Sequence, residues 1–146
     1  MDAEDGVLSA FGVAGQAMSM TSGDGFFHND PLGGLTAPLD LRGAGLWGNQ
    51  WDTYVTINAT DDTVVVGLSP GFAAETNSLA SDWSTENAGW FVTPDDAQSQ
   101  AVDNRVLLAQ FSVETQTGPA PDVSGNINLL LRDGGQPEGV QVSSIP

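Results

Sequence analysis

Apolar and polar positions alternate with a period of two along much of this chain, and the alternating runs are short. The clearest run is Trp51 to Asn58, where Trp51, Thr53, Val55 and Ile57 alternate with Asp52, Tyr54, Thr56 and Asn58. β-Branched and aromatic residues fill it, as strands favour. Asp61-Asp62 reads as a turn, and Thr63 to Leu68 returns as a hairpin partner that Ser69-Pro70-Gly71 ends. Val7 to Ser22 reads as one long strand broken near Gly12 to Gly15, because glycine inside a strand marks a bulge or bend. Gly89 to Thr93, Arg105 to Glu114, Val123 to Leu131 and Val140 to Ser143 complete the strand set. A change of face near Ala109 and Gln110 points to a bulge there, and Asp133-Gly134-Gly135 to a tight turn.

Between the strands lie loops. Gly23 to Gly48 is rich in Gly, Pro, Asp and Leu and reads as one long ordered loop, of a length that is uncommon without a function or a packing role. Asp95 to Asp103 is a second. Phe72 to Glu86 allows one turn of helix at most, because its Asn and Ser side chains compete for backbone hydrogen bonds. About seven to nine short strands with almost no helix predict an all-β fold, a single antiparallel β-sandwich of jelly-roll or cohesin-like kind. One domain over 1–146 is expected, with 1–6 as a flexible lead and 143–146 as a tail.

Composition changes the picture in three ways. The 146 residues carry nineteen Asp+Glu against three Lys+Arg, a formal charge of -16. Nucleic acid and anionic lipid are therefore not expected as partners. No apolar run approaches the roughly 18 residues that a spanning helix needs, so membrane insertion is not expected either. There is no cysteine, which excludes a disulfide framework. The three cations are Arg42, Arg105 and Arg132; without lysine there is no Schiff-base nucleophile and no internal lysine–asparagine crosslink.

Several segments resemble a group of secreted proteins from planctomycetes and similar marine bacteria that carry PEP-CTERM sorting tails or dockerin modules. The matching pieces are GVAGQAMSMTSGDGFFHNDPLGG (12–34), WDTYVTI (51–57), GWFVTPDDAQSQA (89–101), RVLLAQFSV (105–113) and VSGNINLL (123–130), in the expected order. Ser143-Ser144-Ile145-Pro146 looks like the stretch before a Pro-Glu-Pro tail, and Met1 before Asp2-Ala3-Glu4-Asp5 like a start that replaced a signal peptide. The resemblance implies a secreted or cell-surface protein and names no activity.

Four site chemistries are considered. Aromatic recognition of sugar needs exposed tryptophan faces with amide and carboxylate groups beside them. Trp47 and Trp83 fall in loops and are the expected platforms, with Asn49, Gln50, Asp52 and Asp82 near them; Trp51 and Trp90 are expected in the core. A structural Ca²⁺ needs six to eight oxygens from irregular loops. Asp95, Asp96 and Asp103 flank one candidate loop, Asp61 and Asp62 another, and Asp24, Asn29 and Asp30 a third. Adjacent Asp pairs are equally ordinary turn formers. An enzyme is not expected: there is one histidine, no cysteine, no GxSxG, and no glutamate in a recognisable cleft motif. His28 reads as a loop residue beside Asp30 and Pro31. Self-association through sheet edges is the fourth, weighed against an ordinary first strand at Val7 to Ser22. Asn58-Ala59-Thr60 fits a glycosylation sequon by chance. The expected role is an exported, non-enzymatic structural or adhesive module, self-assembling or not; the alternative is a carbohydrate-binding module using the loop tryptophans.

Overall fold

A computed structural model of the chain describes residues 5–28, 34–37, 51–59, 66–113, 122–133 and 136–145. The fold is mostly β, with one large antiparallel sheet, one two-stranded sheet and little helix. The strands are β1 (Gly6–Phe11), β2 (Met18–Thr21), β3 (Tyr54–Val55), β4 (Gly67–Leu68), β5 (Trp83–Thr85), β6 (Gly89–Phe91), β7 (Ala109–Gln110), β8 (Ser124–Asp133) and β9 (Gln136–Ile145). The large sheet runs β4-β6-β1-β8-β2-β5, with β9 on β8.

Two of its ranks are interrupted strands. β1 and β2 both pair antiparallel with β8, Phe11 opposite Asn128 and Ser19 opposite Asn126. β9 occupies the other side of β8 over the same residues, so β1 and β2 share one edge. Residues 12–17 are an excursion that leaves the sheet between two nearby positions of β8. The next rank repeats the device: β6 pairs with β1, β5 pairs with β2, and residues 86–88 interrupt it. The break expected near Gly12 to Gly15 is therefore present.

Hydrogen bonds tie the two interruptions together. Gly12 N donates to Ala88 O at 2.9 Å, and Gly15 N to Glu86 Oε1 at 2.9 Å. The Asn128 amide, buried under the excursion, donates to Phe11 O and Gln16 O at 2.9 and 2.8 Å. It replaces ladder bonds that the sheet gives up there. A Cβ at Gly12 would run into the Thr85 carbonyl, so close approach of backbone requires glycine at that position.

The second sheet, β3 with β7, is widened by irregular partners. Thr53 N donates to Phe27 O, Phe27 N to Ser112 O, Val55 N to Leu35 O, and Thr56 N to Leu108 O. Side chains take over part of this ladder: Ser112 N donates to Thr53 Oγ1 and Leu107 N to Asn58 Oδ1. That substitution keeps the regular strand expected over 105–114 down to Ala109–Gln110. The Asn58 amide is also occupied, donating to Gln98 O and Gln100 O.

One apolar cluster joins the two sheets. Val7, Ala10, Met18, Met20, Trp90, Ile127 and Leu129 come from the large sheet, Val55 from the other and Ile57 from the chain just after it. Trp90 Nε1 donates to Thr56 O at 2.9 Å across the cluster, and Phe72 meets the Trp90 ring edge-on at 6.1 Å. Each large side chain so buried contributes about 1.5–3 kcal/mol. Phe72 belongs to α1 (Phe72–Glu75), the single turn expected there; Asn77, Ser78 and Leu79 have positive φ and end it. Among the described residues no helix is long and apolar enough to cross a membrane.

Three sequence expectations are corrected. Gly67–Leu68 is not the hairpin partner of Trp51 to Asn58: β4 pairs with β6, and β3 with β7. Both faces of residues 52–57 are buried, so their alternation does not separate core from solvent. The sheet also reaches into the segments read as lead and tail, since β1 starts at Gly6 and β9 runs to Ile145. Asp133 ends β8, while residues 134 and 135 of the expected tight turn lie outside the described residues.

Candidate functional site

The segment 51–55 mounts one candidate surface. Asp52 is fully buried, and its Oδ2 accepts a hydrogen bond from Gly34 N at 3.1 Å. Its backbone carbonyl accepts from Gln110 Nε2 at 2.8 Å. His28 Nδ1 lies 3.1 Å from Asp52 Oδ1, an ion-pair distance without hydrogen-bond alignment, and the imidazole is mostly buried. One carboxylate thus ties three chain segments together. Among the described residues no third His, Asp or Glu joins the pair. Immediately before this anchor, Trp51 is 62% exposed. An indole on a fixed mount is a stacking surface that loses little entropy on binding.

The outer face of the β1–β6 pair carries another feature. An open groove of about 300 Å³ is lined by Ser9 and Phe11 of β1, by Gly89 and Phe91 of β6, and by Ser69 and Asn87 beside them. Phe91 is 47% exposed, and Val13 in the neighbouring excursion is exposed as well.

The tryptophans exchange the roles expected of them. Trp83 is not a loop residue; it pairs with Met20 in β5, is 4% exposed and belongs to the core cluster. The period-two run Trp83-Ser84-Thr85 carried the signal: Trp83 and Thr85 turn in, Ser84 out. Trp51, expected inside, is exposed, alone among the described tryptophans, because the chain becomes buried only at Asp52. Trp90 is in the core as expected. Trp47, Asn49 and Gln50 lie outside the described residues. Asp82 is exposed, and its carboxylate accepts from Ser22 N at 2.9 Å, a loop-fixing role.

Of the calcium candidates, Asp61, Asp62, Asn29 and Asp30 lie outside the described residues. Asp96 caps the 3-10 helix Ala97–Ser99, its Oδ1 accepting from Gln98 N at 3.0 Å. Asp95 is exposed next to it. Asp103 has φ 51 in a tight turn closed by Val102 and Arg105. Among the described residues no group of three or more His, Cys, Asp or Glu gathers.

Neither the pairing of His28 with Asp52 nor the Phe91 groove was apparent from the sequence. The first joins residues far apart in the chain; the second needs the β1–β6 register. No family model, curated protein or solved structure matches the chain.

Proposed function

We propose that this chain is an exported, non-enzymatic adhesive module of the cell surface or extracellular matrix, and that its partner is polysaccharide. Its two sheets are read as a β-sandwich of jelly-roll or cohesin-like kind. The observation that carries the binding reading is Trp51, a large indole held in solvent beside a fully buried, hydrogen-bonded carboxylate. Export is supported by the resemblance of residues 12–34, 51–57, 89–101, 105–113 and 123–130 to secreted planctomycete proteins. The -16 charge favours neutral glycans over acidic ones. Retention of the wild-type chain on a panel of insoluble neutral polysaccharides, with loss in Trp51→Ala at unchanged melting temperature, is the expected result. Absence of retention on every polysaccharide would contradict it.

A second reading, self-assembly, is favoured by β9. This ten-residue strand pairs only with β8, so that among the described residues its other side has no strand partner. Such edges are templates for another strand. Size-exclusion chromatography with light scattering at high protein concentration tests it, and a strict monomer ends it. A structural Ca²⁺ is carried as a further proposal. Millimolar calcium should raise the melting temperature and chelator reverse it; a melt unmoved by either removes the ion.

A further inference from the structure

The geometry points to a second glycan subsite: a neutral pyranose ring seated on Phe91 in the groove between β1 and β6. It rests on the polysaccharide reading above and adds a site to it. Trp90 and Phe91 are neighbours in one strand, so their side chains leave opposite faces of the sheet. Trp90 turns into the core; Phe91 turns out.

Phe91 stands opposite Gly67, and the ring leans across onto it. A Cβ built at Gly67 would lie 2.5 Å from Phe91 Cε2 and Cζ. An aromatic ring covering a strand glycine offsets the packing that the missing side chain would have supplied. The ring is thereby held from one side while nearly half of the residue stays open. The groove beside it is floored by backbone. At Gly89, opposite Phe11, a Cβ would lie 2.8 Å from Ala10 O and 3.0 Å from Phe11 Cβ.

The rim is polar and has spare hydrogen-bonding capacity. Ser69 Oγ accepts from Gly89 N at 3.0 Å, which directs its own proton elsewhere. The Ser9 hydroxyl and the Asn87 side-chain amide make no hydrogen bond to other described residues. No ionisable side chain is found among the described residues that line the groove. A ligand that fits has an apolar face for the ring, hydroxyls for Ser9, Ser69 and Asn87, and no charge. A pyranose unit of a neutral polysaccharide has all three, since its C–H face is apolar and its rim is hydroxylic. Acidic sugars are disfavoured by the protein's own charge.

The test is an NMR titration of the full chain, ¹⁵N-labelled, with neutral hexasaccharides of the cello-, xylo-, manno-, laminari- and chito-series. At least one series should shift the amides of Ser9, Gly67, Ser69, Gly89 and Phe91. Phe91→Leu, which still covers Gly67, should weaken those shifts at least tenfold, and Phe91→Tyr should restore them. Gly67→Ala should displace the ring and weaken binding several-fold while leaving the rest of the spectrum in place. Trp51→Ala should leave the groove shifts intact. Shifts confined to the surroundings of Trp51 would mean that Phe91 is only a cover for Gly67: the subsite falls and the adhesive reading stands. Full binding by Phe91→Leu overturns the subsite in the same way. No shift with any series overturns both.

Discussion

On the inner face of β6, Trp90 is enclosed on all sides and its Nε1 is bonded to Thr56 O, next to β3. On the outer face, its neighbour Phe91 rests on a glycine and meets solvent. The same contrast divides Trp90 from Trp51, which stands outside the layer that Trp90 helps to close. Aromatic residues are placed here for two separate purposes. Those with partners on every side hold the fold. Those fixed on one side and open on the other are available to a ligand. If this division is right, stability and binding respond to different substitutions.

The largest effect should come from the inner face. Trp90→Ala empties the centre of the cluster and strands Thr56 O; a loss of about 3–5 kcal/mol is expected by denaturant unfolding. A loss under about 1 kcal/mol would break the division, since Trp90 would then resemble a surface residue. Asn128→Ala should come next. It removes the side-chain hydrogen bonds to Phe11 O and Gln16 O, and about 1–3 kcal/mol is expected. Faster amide exchange should be confined to residues 12–17 and their 86–88 neighbours. Uniform acceleration across the sheet would mean that the interruption is not a local device.

Asp52→Ala probes the boundary between the two roles. It leaves Gly34 N without its acceptor and loosens the mount of Trp51. A loss of about 1–3 kcal/mol is expected, together with weaker glycan retention. Retention kept in full after that loss would show that Trp51 binds without its anchor. Phe91→Leu is the smallest perturbation of the fold, within about 0.5 kcal/mol as for ordinary surface changes.

Much of the sheet was legible in the sequence because period-two alternation survives wherever only one face is buried. The strands around Met18 to Thr21 and Gly89 to Phe91 are of this kind; the break after Phe11 was marked instead by Gly12 and Gly15. Legibility failed where that condition failed. Residues 52–57 are buried on both faces, so their alternation carried no inside and no outside, and Trp51 was assigned to the wrong side. The 105–113 run is apolar enough for a strand, yet Thr53 and Asn58 side chains replace part of its backbone ladder. The Ser and Asp around Trp83 suggest a loop, although Trp83 and Thr85 share a face. The groove was out of reach, because Ser9 and Phe11 meet Phe91 and Gly89, and Gly67 meets Phe91, only through antiparallel registers.

The most direct test of the division is calorimetric. A neutral oligosaccharide that the wild type retains is titrated into wild type and Trp51→Ala, and both proteins are melted under the same conditions. The account predicts a melting temperature unchanged within about 2 °C, in keeping with a surface change of under 0.5 kcal/mol, and a binding isotherm weakened at least tenfold. Equal affinity in the two proteins, or a binding loss that simply follows a collapsed melt, would contradict it.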